Sequence, residues 1–78
     1  MIKRYNLEGE VEYLAIDKEG FFRKDKAGKT VVEKSKIWYD NLEGLSKEDA
    51  QRKFEAMIMK NYGSRFVGIK TKVTGVRD

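Results

Sequence analysis

Neither cysteine, histidine nor proline occurs among the 78 residues. Without cysteine there is no disulfide, and without cysteine or histidine there is no ordinary zinc, haem or iron–sulfur site. Nucleophilic triads built on histidine are excluded as well, so Ser35, Ser46 and Ser64 have no base of that kind to activate them. No apolar run approaches the ~18–20 residues that a membrane span needs. Residues Met1 to Asn6 lack the apolar stretch of a signal peptide. These absences predict a soluble, cytoplasmic chain with no membrane contact, no metal and no cofactor. The length predicts one domain over residues 1–78, with a core rarely worth more than ~3–5 kcal/mol.

Charge is what the chain has in excess. Charged residues make up 38%, with 17 basic against 13 acidic and a net charge of +4, where about a quarter is usual. Glycine supplies the strong punctuation, and no repeat, linker or low-complexity tract is expected. Residues 2–16 alternate: Tyr5, Leu7, Val11, Tyr13 and Ala15 share one face, while Glu8, Glu10 and Glu12 share the other. Period two is the strand signature. Gly9 falls on the apolar face and predicts a bulge or bend. Asp17 to Gly20 reads as a turn, Phe21 to Lys24 as a second strand, and Asp25 to Lys29 as another turn. Thr30 to Tyr39 reads as a third strand, with a short helix over 35–43 as the rival.

Ser46 suits a helix N-cap, Asp49 stands three residues later, and Leu45 with Ala50 matches a hydrophobic staple. Glu48 and Asp49 oppose the positive end of the helix dipole. Ala50, Phe54, Met57 and Ile58 form one stripe at helical spacing, Met59 lies at its rim, and Gly63 fits the helix end. A helix is predicted over about 47–61. Val67, Ile69, Thr71 and Val73 then alternate with Gly68, Lys70 and Lys72 as a fourth strand. The order β-β-β-α-β defines a small two-layer α+β domain, a mostly antiparallel sheet with one helix on one face. The predicted core is Tyr5, Leu7, Val11, Tyr13, Val31, Ile37, Phe54, Met57, Ile58, Val67, Ile69 and Val73.

Trp38, Leu42, Gly44, the run Ser46-Lys47-Glu48-Asp49-Ala50 and Tyr62-Gly63 together resemble the last part of acyl-CoA-binding proteins. The resemblance implies a helix from Ser46. That family is a four-helix bundle, whereas residues 1–33 alternate as strands here, so no ligand residue is carried over.

The parity of the strands decides where charge goes. Lys34, Lys36, Lys70 and Lys72 project from the open sheet face, with Trp38 and Phe66 on the same side. One reading is a polyanion site, in which lysines hold phosphates and aromatic faces stack on bases. The other is a cross-strand ladder in which Glu8, Glu10 and Glu12 neutralise those lysines, at roughly 0.2–1 kcal/mol per pair. The turn after Lys24 escapes that cancellation, because Arg23, Lys24, Lys26 and Lys29 surround only Asp25. Phe21-Phe22 either packs under loop 40–46 or stands out as a partner anchor.

Catalysis has little support. Asp40/Glu43 and Glu48/Asp49 are the paired carboxylates, and the latter already serve the helix start. Gly28-Lys29-Thr30 fails as a phosphate loop, since position 23 is Arg where that spacing needs Gly. The expectation is a non-enzymatic protein-binding or regulatory domain that acts through its open sheet face and basic hairpin 21–32. Its partner-binding residues would be Arg23, Lys24, Lys26, Lys29, Lys34, Lys36, Trp38, Phe66, Lys70 and Lys72. Nucleic acid is the alternative partner, and a homodimer through a free sheet edge is another. Analogy alone adds that small regulators and inhibitors of bacteriophages and mobile elements have this composition.

Overall fold

Alternation in the first sixteen residues becomes the central strand, β1 (Lys3–Leu14), in a computed structural model that describes residues 1–77. Its outer neighbours are β2 (Val32–Gly44) and β3 (Phe66–Arg77), giving one antiparallel sheet of order β2-β1-β3. Helix α1 (Lys47–Tyr62) and a 3₁₀ turn (Gly63–Arg65) join β2 to β3. The domain is thus two-layered α+β, with the helix on one sheet face.

The helix begins where its caps predict. Ser46 Oγ accepts from Asp49 N at 3.1 Å, and Asp49 Oδ2 accepts from Leu45 N at 2.9 Å. The second contact and the adjacent Lys53 hold the Asp49 carboxyl below its ordinary range, against the opposing pull of partial desolvation. Leu45 stays 69% exposed, so the predicted staple does not form. Gly63 closes the helix at positive φ, its N–H bonded to the Met59 carbonyl.

Tyr5, Leu7 and Val11 from β1 meet Ala50, Phe54 and Ile58 from α1 in the core. The buried helix stripe therefore runs at i, i+4, i+8, and Met57, predicted inside, is exposed at its flank. Gly9 is flat against this core rather than bulged: a β-carbon there would stand 3.0 Å from Phe54 Cε2. The bulges lie opposite Asn6 instead. Register shifts on both sides of β1 at that point, and Asn41 takes φ of 59°. Asn6 bridges the disruption, its Oδ1 accepting from Asn41 N and its carbonyl from Thr74 Oγ1.

A second shift in β3 pairs Tyr13 with Phe66 and Glu12 with Gly68, leaving Val67 between. One extra residue reverses the facing of everything before it. Phe66, predicted on the open face, accordingly packs on the core, and Val67, predicted in the core, is about half exposed. The strand forecast over Thr30 to Tyr39 holds from Val32 and runs on to Gly44, through residues expected as a loop, so the helical rival over 35–43, and with it any helix end at Trp38, is excluded.

Residues 15–31 depart most from expectation. Phe21 to Lys24 forms only isolated bridges, Ile16 with Phe22 and Lys24 with Thr30. Around them, against the expectation of no repeat, the chain contains one of eight residues: Asp17-Lys18-Glu19-Gly20 recurs as Asp25-Lys26-Ala27-Gly28. Both copies fold alike. Asp17 Oδ1 accepts from the Glu19 and Phe21 amides, and Asp25 Oδ1 accepts from those of Ala27 and Lys29. Gly20 and Gly28 sit at φ of 89° and 81°, the conformation that closes a three-residue hairpin loop. The two small hairpins and the β1–β2 pair meet at Ala15, Arg23 and Val31, which are evenly spaced along the chain. Ala15 N donates to Val31 O, Val31 N to Arg23 O, and Arg23 N to Ala15 O, each at 2.9 Å. This closed ring of hydrogen bonds is a three-way junction, with Ala15 fully buried in it.

Candidate interaction surface

The open face of the sheet is a ladder of alternating charge. Glu8, Glu10 and Glu12 stand on the central strand. Across β2 their partners are Trp38, Lys36 and Lys34, and across β3 they are Lys72, Lys70 and Gly68. Opposite partners in an antiparallel pair share a face, so Lys34, Lys36, Trp38, Lys70 and Lys72 all project where the strand parity places them. Glu8 is bonded on both sides, to Lys72 at 3.3 Å and to Lys36 at 3.6 Å. Glu10 pairs with Lys34 at 3.9 Å. Lys72 is the main cause holding the Glu8 carboxyl below its ordinary value; Lys36 adds to it and desolvation opposes it.

The rungs enclose a shallow depression of about 330 Å³, with Glu8, Glu10, Lys36, Lys70 and Lys72 around it. Two carboxylates among three ammonium groups leave it little net charge. Exposed pairs of this kind are worth about 0–1 kcal/mol each, so the ladder marks the face as solvated more than it stabilises the sheet. Trp38 stands beside it, 64% exposed.

The arm has a different character. Residues 16–29 are exposed without interruption, and the domain is drawn out to 51 × 18 × 17 Å. Arg23 pairs with Glu33 at 3.9 Å, and Lys24 Nζ donates to Thr30 Oγ1 at 2.7 Å. Lys26 and Lys29 make no ion pair among the described residues. Phe21 is 71% exposed and Phe22 43%, and the loop expected over 40–46 to cover them is largely the end of β2. Of the ten residues singled out from sequence, the ladder gathers Lys34, Lys36, Trp38, Lys70 and Lys72. The arm gathers Arg23, Lys24, Lys26 and Lys29, and Phe66 joins neither.

The arm is tied to the body at its base. Arg65 Nε donates to Leu14 O at 3.0 Å. Its guanidinium lies 5.3 Å from the Tyr13 ring and 5.7 Å from Tyr62, and those rings stack at 4.7 Å. None of these three stands out in the sequence as part of a cluster, because the turn after α1 brings Arg65 back beneath β1.

Among the described residues no group of acidic side chains is arranged to hold a metal ion, and no helix is long and apolar enough to cross a membrane. Set against known proteins, the chain matches no family model, no curated protein and no solved structure.

Proposed function

We propose that the chain is a non-enzymatic protein-binding module of the regulatory or adaptor kind, and that the three-way arm makes the contact. One observation carries this reading. Fourteen consecutive residues, 16–29, are solvated yet fixed by their own turn hydrogen bonds, and they hold two phenylalanines in water. Exposed aromatic side chains on an ordered support lose little entropy when a partner covers them. The neutralised ladder supports the same emphasis, since it leaves the sheet face without the strong field a polyanion site needs.

A photoreactive phenylalanine analogue at position 21 or 22, one position per variant, in cells that naturally produce the protein, tests the proposal. A discrete protease-sensitive adduct from at least one of the two, absent when the analogue replaces Asn61 on the exposed side of the helix, is the expected result. No adduct from either position overturns it.

A second reading has its own support in Lys26 and Lys29, which make no ion pair among the described residues at the second turn of the arm. Nucleic-acid binding through them would fall steeply with salt, with a log–log slope of about −0.9 per phosphate contacted. Anisotropy of labelled single- and double-stranded oligonucleotides between low and physiological salt measures it.

A further inference from the structure

The junction sorts its side chains onto two sides. In an antiparallel bridge the two partners share a face, and residues two apart in an extended chain share it too. Leu14 pairs with Val32, Ile16 bridges Phe22, and Lys24 bridges Thr30. Leu14 and Ile16 are two apart, as are Phe22 and Lys24, and Thr30 and Val32. All six therefore lie on one side, the side that continues the open face beyond Glu12 and Lys34. Ala15, Arg23 and Val31 take the other.

Four of those six are apolar and adjacent. Leu14 is half-buried, while Ile16, Phe22 and Val32 are 36%, 43% and 47% exposed. The helix, which covers the opposite face, offers them nothing. An apolar cluster with a polar rim is the usual mark of a protein contact. The rim here is net basic: between residues 16 and 32 Lys18, Arg23, Lys24, Lys26 and Lys29 outnumber Asp17, Glu19 and Asp25, and at the sheet end Glu12 faces Lys34. Asp17 and Asp25 each spend a carboxylate oxygen on two backbone amides, and Glu33 is paired with Arg23. Lys24 stands beside Phe22 on the same side; at the next turn Lys26 makes no ion pair among the described residues, while Lys29, which closes that turn against Asp25 and is two residues from Val31, belongs to the other side.

We propose that Leu14, Ile16, Phe22 and Val32 are the docking patch of the arm, and that its occupant is a protein segment carrying acidic side chains around one apolar anchor. The inference rests on the protein-binding reading and narrows it to one side of the arm. The apolar cluster receives the anchor, and Lys24 and Lys26 meet the flanking carboxylates. Charge complementarity makes the choice, since a basic segment would be repelled there.

Panning a displayed library of random short peptides on the full chain tests the assignment. Enriched peptides should combine Asp or Glu with a single aromatic or aliphatic residue. The synthetic peptide should lose about tenfold or more in affinity for Phe22→Ser, as hot-spot truncations do. It should weaken for Lys24→Glu/Lys26→Glu and be indifferent to Lys70→Gln/Lys72→Gln. Phe22 is solvated, so its loss leaves the core untouched, and circular dichroism of each variant checks that. Enriched peptides without acidic residues, or peptides that bind Phe22→Ser as well as wild type, overturn the patch. Peptides lost only with Lys70→Gln/Lys72→Gln overturn it as well, while leaving the protein-binding reading in place. No enrichment at all, together with tight oligonucleotide binding, overturns both.

Discussion

Gly9 and Phe54 are in such close register that a β-carbon on the glycine would stand 3.0 Å from Cε2 of the ring and 3.4 Å from Cζ. Phe54 is fully buried, and its ring is also 6.4 Å from that of Tyr39, so it has no free space to retreat into. The missing side chain is what lets the helix seat on the middle of the sheet. Gly9→Ala should therefore destabilise despite alanine's better backbone entropy, and Gly9→Val should do so more, by about 1–3 kcal/mol. For a domain of this size that is a fall in Tm of about 4–8 °C per kcal/mol, readable by thermal denaturation. A Gly9→Val protein as stable as wild type would mean that the helix does not rest where it is described.

Among the described residues Glu8 is the carboxylate that forms ion pairs with a lysine of each outer strand. Lys72, then Lys36, keep its folded-state pKa below the ordinary 4.5. A depressed carboxyl pKa contributes stability that is fully present above the unfolded value and is lost as pH falls through the folded one. The difference in Tm between wild type and Glu8→Gln should thus be constant above about pH 5 and shrink as the solution is acidified below 4.5. In a carboxyl-detected NMR titration, Lys72→Met should move the Glu8 midpoint upward. An unmoved midpoint would show that the pair is not formed in solution.

How much of this is legible in the sequence depends on range. The central strand and the helix are, because alternation at Tyr5-Leu7-Val11 and the cap at Ser46 are local signals. Side-chain parity is legible for the same reason, so Lys34, Lys36, Lys70 and Lys72 lie where the alternation places them. Strand order is not, because it depends on which distant segments pair, and it is that order which sets glutamates between two lysine columns. Phe66 and Val67 exchange sides because a bulge belongs to the pairing of β3 with β1, not to β3 itself. The recurrence of Asp-Lys-x-Gly is visible in the string. Its consequence is not, since a junction of three hairpins looks, residue by residue, like an ordinary meander.

The two turns of the arm should be energetically separable. Each aspartate holds the amides of its own loop only, Asp17 those of Glu19 and Phe21, Asp25 those of Ala27 and Lys29. Asp25→Ala should speed hydrogen exchange at Ala27 and Lys29 by about fivefold, the equivalent of the ~1 kcal/mol typical of a hydrogen bond, without changing Glu19 and Phe21. Asp17→Ala should do the converse. Ala15→Val acts differently, because Ala15 is fully buried where all three hairpins meet, and should loosen both turns together. If Asp25→Ala alone melts the entire arm, the junction is one cooperative unit and the two loops are not independent.

Both outer strands expose an edge, and edges invite pairing with a second copy. The ladder bears on whether they do so. β2 carries Lys34 and Lys36 on the open face and β3 carries Lys70 and Lys72, with Glu8, Glu10 and Glu12 on the strand between and Glu43, opposite Arg4, at the far end of β2. An edge-to-edge seam through residues 34–36 or 70–72, β2 with β2, β3 with β3 or β2 with β3, therefore sets one lysine column beside another. Like charges placed opposite each other across strands are destabilising, and the bulges opposite Asn6 and at Val67 shorten the regular edge further. Sedimentation at low salt should accordingly show a monomer from about 10 μM to several hundred micromolar, well above where a standard-sized interface would hold two chains together. Lys34→Thr/Lys36→Thr, which removes the repulsion and adds β-favouring side chains, should make the mass depend on concentration. High salt should move wild type in the same direction by screening the columns. A wild-type dimer that persists on dilution at low salt would show that a seam forms against this repulsion, and would make edge pairing the contact in place of the arm.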